Sequence, residues 1–533
     1  MSVLVLTAGC GAAEPEPSTL PASVAAAPAE RLTVLAEPDP ATAALEASSA
    51  LFESSPVVVL ADAARRLPAA SVAVALGVPA LDAATAPELL DAELDRLGAA
   101  HVVLLGEAPE GAPLDGVTVL RADPSEEGVA RALGMAFEPL DVPADASPAK
   151  AVAALTPESP RLLLAEGEEP GGDADVPQDA APLPARQPAE RADDLVVLAV
   201  DAPESLLSIA TARAAGAELA LLPPEHPNPQ GSPGAIELLA DRPDASVVTL
   251  GPELAAETEL DWKIASARTG LQLPGGGQLL FPDHLMVAIY GTPGAPVLGV
   301  LGEQDLPASI DRARRHAAGY DDLTDRTVLP AFELIATVAS GSKGSDDNYS
   351  NELSPERMLE WAKAAGDAGM YAVLDLQPGH TDFVTQAKLY EEVLKLPWVG
   401  LALDPEWRLK PDERHLVHIG SVGSAEINAV QDYLGDLVQE HHLPPKLLVL
   451  HQFRSDMIED RAGVAVDRPE VTVLIHADGQ GSQPEKQATW RRLHTDAPDV
   501  AWGWKNFYDE DAPMLTPEQT MMVEPVPDLI TYQ

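Results

Sequence analysis

The chain has 533 residues, room for roughly two to four domains, and its 46% hydrophobic content excludes global disorder. Acidic residues outnumber basic ones 84 to 34, a formal charge of −50, which excludes binding nucleic acid or an anionic membrane through bulk electrostatics. A single cysteine excludes an intrachain disulfide framework, and no apolar run is long enough to span a bilayer.

Residues 1–30 read as a truncated signal and a tether. The lone cysteine lies in Leu6-Thr7-Ala8-Gly9-Cys10-Gly11, and an Ala/Pro/Glu/Ser stretch follows it. This arrangement resembles the lipobox of bacterial lipoproteins. The resemblance implies a lipid on Cys10, membrane contact only through that lipid, and a place on the outer face of a bacterial cell membrane or a secreted form.

From residue 31 the chain is rich in Ala, Pro and acid, and short apolar runs alternate with Ala-rich helical stretches. The runs are Leu32–Leu35, Val57–Leu60, Val78–Leu81 and His101–Leu105. The helices fall over Ala41–Leu51, Ala63–Leu76 and Pro87–Leu97. This βαβ rhythm predicts a small parallel sheet over 31–140. A second such unit is expected over 195–262, from Leu195–Val200, a helix over Glu204–Ala215, Leu219–Leu222 and Val247–Leu250. Between them, 141–194 is dense in Pro, Ala, Asp and Glu and reads as an acidic linker, self-repelling over Glu166–Arg191. Val57-Val58-Val59-Leu60-Ala61-Asp62-Ala63, Ala75-Leu76-Gly77-Val78-Pro79 and Leu97-Gly98 before Val102–Gly106 resemble the bacterial cell wall-binding repeat family of the repeat 2 type. That resemblance implies attachment to wall polymers.

After Trp262 the composition changes. Only Phe52, Phe137 and Trp262 precede residue 281, and every other aromatic lies from Phe281 onward. Gln272–Leu279 reads as a hairpin. Eight apolar runs then recur: Leu285–Tyr290, Val328–Val338, Tyr371–Leu376, Val399–Leu403, Lys446–Leu450, Val471–Ile475, Val500–Trp504 and Asp528–Tyr532. Helical patterns separate them near Pro307–Ala318, Pro355–Ala368, Asp382–Leu396, Ala425–His441, Ser455–Ala462, Pro484–Leu493 and Pro517–Val523. Eight strands alternating with seven helices over about 250 residues predict a (β/α)8 barrel at 263–533. The expected fold class is therefore α/β: βαβ units followed by a TIM barrel.

Barrel active sites lie at the C-terminal ends of the strands, and these ends are polar. Asp404 and Glu406 end the fourth run. Spaced i and i+2, they share a face and should both point into the mouth. Two close carboxylates repel, so one keeps its proton to higher pH, as a general acid at neutral pH requires. The bland alternative has Asp404 capping the next turn and Glu406 paired with Arg408. Asp375 sits one strand over, and Asp478 is the next carboxylate available as base or nucleophile. Tyr290, Glu333, Gln377, Trp407, His451, Gln452, His476, Trp502, Trp504 and Lys505 complete a candidate substrate-binding set. Its rings can pack on the C–H faces of a pyranose. Gly400-Leu401-Ala402-Leu403-Asp404-Pro405-Glu406 resembles the G-x-D-x-D-x-E motif of glycoside hydrolase family 18 chitinases. The resemblance implies Glu406 as acid and Asp404 as its helper, although Ala402 replaces the first Asp of the motif.

His451 and His476, with Asp478, also suit a metal-dependent hydrolase. The His-x-His pair expected on a first barrel strand is missing, no H-E-x-x-H or Walker loop occurs, and Gly275–Gly277 precedes a strand rather than a helix. No metal and no cofactor is therefore expected. The reading is a surface lipoprotein whose barrel binds and hydrolyses a cell-envelope or extracellular polysaccharide. Its rival is a wall-associated protein whose barrel binds without catalysis.

Overall fold

The computed structural model describes residues 19–108, 114, 116–167, 181–415 and 417–533. Cys10 and residues 168–180 of the acidic 166–191 stretch lie outside the described residues. Among the described residues no helix is long and apolar enough to cross a membrane. The chain forms two compact units. The first comprises Met1–Asn228 and Asp241–Leu260, the second Pro229–Ala240 and Asp261–Gln533.

In the first unit, the runs Val57–Ala61 and Leu195–Val200 are buried along their whole length. Continuous apolar strands of this kind belong in parallel sheets covered on both faces. Each centres a four-stranded parallel sheet. One is ordered Ala80–Asp82, Val57–Ala61, His101–Leu105, Thr118–Arg121. The other is ordered Glu218–Leu222, Leu195–Val200, Ser246–Leu250, Leu32–Leu35. Leu32–Leu35 thus joins the later sheet and does not pair with Val57–Ala61, a contact spanning more than 200 residues of sequence. Ala-rich helices Arg66–Leu76 and Leu206–Ala215 share one apolar cluster, because small side chains let backbones approach closely. Asp141–Ala165 carries more order than its composition predicts. Strand Glu138–Val142, helix Pro148–Ala153 and strand Arg161–Ala165 form a parallel pair with its crossover helix.

The second unit is a closed barrel of eight parallel strands: β1 (His284–Gly291), β2 (Thr327–Ala339), β3 (Tyr371–Leu376), β4 (Val399–Leu403), β5 (Lys446–Gln452), β6 (Val471–Ala477), β7 (Ala501–Asn506) and β8 (Leu529–Tyr532). Neighbours pair in sequence order, and β8 returns to β1. A short antiparallel strand, Ser350–Glu352, extends β2. Met286, Ala288, Leu329, Ala331, Tyr371, Val373, Ala402, Leu447, Val449, Leu474 and Leu529 fill the interior. The alternate residues of the same strands pack outward against the helices.

Two expected elements differ. Gln272–Leu279 is a loop, with Gly275, Gly276 and Gly277 at positive φ (92°, 98° and 69°), because its flanks do not pair as strands and Gln278 N bonds Gln230 O instead. Its Leu273 and the nearby Leu280 join the barrel interior cluster. Ser455–Ala462 is two 3₁₀ turns around a two-residue strand, Ile458–Glu459, which pairs with Val422–Gly423. Asp460 at φ 52° breaks any helix there.

Candidate active site

A strand sends every second side chain inward, and here those positions turn polar near the C-terminal ends. The top layer is Tyr290, Glu333, Asp375, Asp404, His451, His476, Lys505 and Thr531, all buried. Buried polar groups need partners, and some of these find one another. Tyr290 donates its hydroxyl to Asp375 Oδ2 at 2.7 Å. His451 lies between two carboxylates, with Nδ1 2.6 Å from Asp478 Oδ2 and Nε2 2.8 Å from Glu333 Oε1. Thr531 donates to Glu333 Oε2 at 3.0 Å. Lys505 Nζ stands 3.6 Å from Asp478 Oδ2 and 3.7 Å from the centre of the Tyr290 ring.

Against this layer lies a cleft of about 570 Å³. Tyr290, Gln377, Asp404, Glu406, Trp407, Asp478 and Lys505 line it. Gln377 is held by a bond from Ala339 N to its Oε1 at 2.9 Å. Asp404 follows β4 directly, and Glu406 sits in the 3₁₀ turn Pro405–Trp407. Asp404 makes no capping bond to that turn. Arg408, the nearest cation in sequence, gives its Nε to Glu426 Oε1 at 3.0 Å. The arrangement that would make this pair purely structural is therefore absent.

The electrostatics divide the acids. Burial, reinforced by Asp478, pushes Glu406 up to about 7. Asp404 is pushed well above the usual carboxylate range by burial, with Glu406 and Asp375 adding to it. Asp375 reaches about 6, burial outweighing the pull of His451. Burial would also raise Asp478, but His451 and Lys505 overcome it and hold that carboxyl below its ordinary range. Burial would lower Lys505, yet Asp478 and Glu333 keep its ammonium charged.

Three expected ligands face elsewhere. Gln452 follows His451 on one strand, so alternation turns it outward. It bonds Arg454 O at 3.0 Å and receives Arg461 Nη1 at 3.0 Å. Trp502 and Trp504 do share a face, but it is the outer one. Trp502 stacks on His494 at 3.6 Å, and Trp504 meets Trp490 edge-on at 5.5 Å. Tyr532 likewise packs outward, its hydroxyl 2.6 Å from that of Tyr320. The other proposed residues, from Tyr290 to Lys505, are in the polar layer or the cleft wall.

Sequence reasoning missed Thr531 and the cleft-lining Arg454, Arg492 and Glu510. Parity along β8 from Leu529 would have found Thr531. The other three come from loops and a helix, where no strand period marks direction. Gly503 was also unmarked. A Cβ there would collide with the His476 ring, so β7 yields space for that imidazole. Gly503→Ala is expected to lower stability by about 1–3 kcal/mol, read as a fall in the denaturation midpoint.

No protein-family description matches this chain, and no curated protein matches it. Two of the solved structures similar to it are cell wall proteins by name. Cwp6 from Clostridium difficile is 13% identical at a TM-score of 0.33, over 66% of this chain and 63% of that one. Cwp8 from Clostridium difficile is 14% identical at a TM-score of 0.31, over 46% of this chain and 52% of that one. The chain thus spans less than two thirds of the length of either, and at this level of likeness no activity carries over from them.

Proposed function

We propose that this chain is a bacterial cell-surface protein, held by a lipid on Cys10, whose barrel binds and hydrolyses a cell-envelope or extracellular glycan. One observation carries the catalytic part. Asp404 and Glu406 line a single cleft with Asp478, Trp407 and Lys505, and Glu406 is half-buried there with no ion pair among the described residues, so it holds its proton near neutral pH. The lipobox-like segment and the repeat-like first unit support the surface location.

In this mechanism Glu406 protonates the leaving glycosidic oxygen. Asp404, itself held protonated beside it, and Asp375, fixed by Tyr290, orient the reacting groups. Asp478, on the neighbouring wall, supplies the second carboxylate. Trp407 offers a ring to a sugar face.

A general acid works only while protonated. Release of reducing ends by the full chain should therefore be level below about pH 7 and fall by about tenfold per pH unit above it. A rate that keeps rising through the alkaline range removes Glu406 from the acid role. A second reading, a wall-associated protein that binds without cleaving, draws on Ala402, which stands where the chitinase-like motif has its first Asp. Glycan retention with no release at any pH selects it.

A further inference from the structure

Beneath the cleft, four buried heteroatoms face one another without hydrogen-bond partners: Glu333 Oε1, Asp375 Oδ1, His451 Nε2 and His476 Nδ1. His451 Nε2 is 2.8 Å from Glu333 Oε1 and 3.9 Å from Asp375 Oδ1. His476 Nδ1 is 3.4 Å from Asp478 Oδ1 and 4.0 Å from the same Glu333 oxygen, with no hydrogen bond to either. One ligand atom from each of Glu333, His451 and His476 falls within 4.8 Å of the others.

The far sides of three of these groups are tied down. Asp478 Oδ2 holds His451 Nδ1 at 2.6 Å, Thr531 Oγ1 holds Glu333 Oε2 at 3.0 Å, and Tyr290 holds Asp375 Oδ2 at 2.7 Å. Carboxylate behind imidazole, and hydroxyl behind carboxylate, is the outer shell that aims metal ligands and fixes the histidine tautomer. His476 adds an independent observation. It is fully buried, neither ring nitrogen has a hydrogen-bond partner, and Gly503 makes the room for it. A bare buried imidazole is costly, and a bridging imidazolium at His451 would leave that cost in place. A cation at the convergence point removes it.

We propose that Glu333, His451 and His476, with Asp375 within reach as a fourth donor, bind a divalent transition-metal ion of the zinc class at the floor of the barrel cleft. Two imidazole nitrogens and a carboxylate oxygen suit zinc or cobalt, whereas calcium and magnesium prefer shells of oxygen. The excess of carboxylates over the single ammonium of Lys505 favours a dication. This inference does not depend on the glycan reading.

The test uses the full chain, stripped with chelator and titrated with Co2+ in excess Mg2+, which occupies the acidic surface. The expected result is one equivalent of bound cobalt with visible d–d absorption of a four- or five-coordinate site, displaced by Zn2+. Glu333→Gln and His476→Gln should weaken binding by about 100-fold or more. Glu406→Gln, outside the donor set, should bind as wild type does. Only pale, Mg2+-sensitive hexa-aquo cobalt with the wild-type chain overturns the proposal, even if the variants unfold. So does unchanged affinity in folded Glu333→Gln and His476→Gln proteins.

Discussion

Glu406→Gln is expected to lower the rate of glycan release by about 10²–10⁴-fold while leaving glycan binding within a few-fold of wild type. The change removes the transferable proton and little else, because Gln has the shape of the protonated acid that burial imposes on Glu406. Stability should move the other way. A carboxyl whose folded value is about 7 against an ordinary 4.5 imposes a cost that is absent below the unfolded value and full above the folded one. The variant should therefore resist denaturant better than wild type above neutral pH and equal it under acid conditions. Matched denaturation curves at the two extremes check this. A variant that loses binding and release together would place Glu406 in substrate recognition and not in proton transfer.

Trp490→Ala should destabilise the barrel by about 3–5 kcal/mol. Trp490 is fully buried, meets Trp502 and Trp504 edge-on at 5.7 and 5.5 Å, and donates its indole N–H to Glu524 O at 2.8 Å. Truncation empties the space between β7 and the helix Gln483–His494 and leaves the Glu524 carbonyl without that donor. The denaturation midpoint of the full chain, followed by circular dichroism, reports the loss. Trp502→Phe should leave glycan affinity unchanged, since that ring faces the helix.

The barrel was legible because its strands combine length, apolar continuity and a period of two with helices of ordinary spacing between them. The same period turns His476 inward and, carried one residue past β4, Asp404; Glu406 and Asp478 lie just beyond their strands and reach the cleft from the turns that follow. Alternation states which residues share a face but not which face is inner. Trp502 and Trp504 therefore share the outer face, while Gly503 between them and Lys505 after them face inward. Alternation also forbids neighbours such as His451 and Gln452 from both facing inward, and Gln452 is the one that turns out. In the first unit, local pattern found the strands, but the union of Leu32–Leu35 with Ser246–Leu250 is a long-range pairing that no local period encodes. The Asp141–Ala165 segment, read from composition as a linker, shows that short strands such as Arg161–Ala165 escape notice when acids and prolines surround them.

The most direct measurement is reducing-end release from a set of bacterial envelope polysaccharides by the purified full chain, with bound glycan measured in parallel. The account predicts that at least one polysaccharide is both retained and cleaved by wild type at neutral pH. Neither retention nor cleavage of any of them would contradict it, leaving a barrel whose converging carboxylates serve some other ligand.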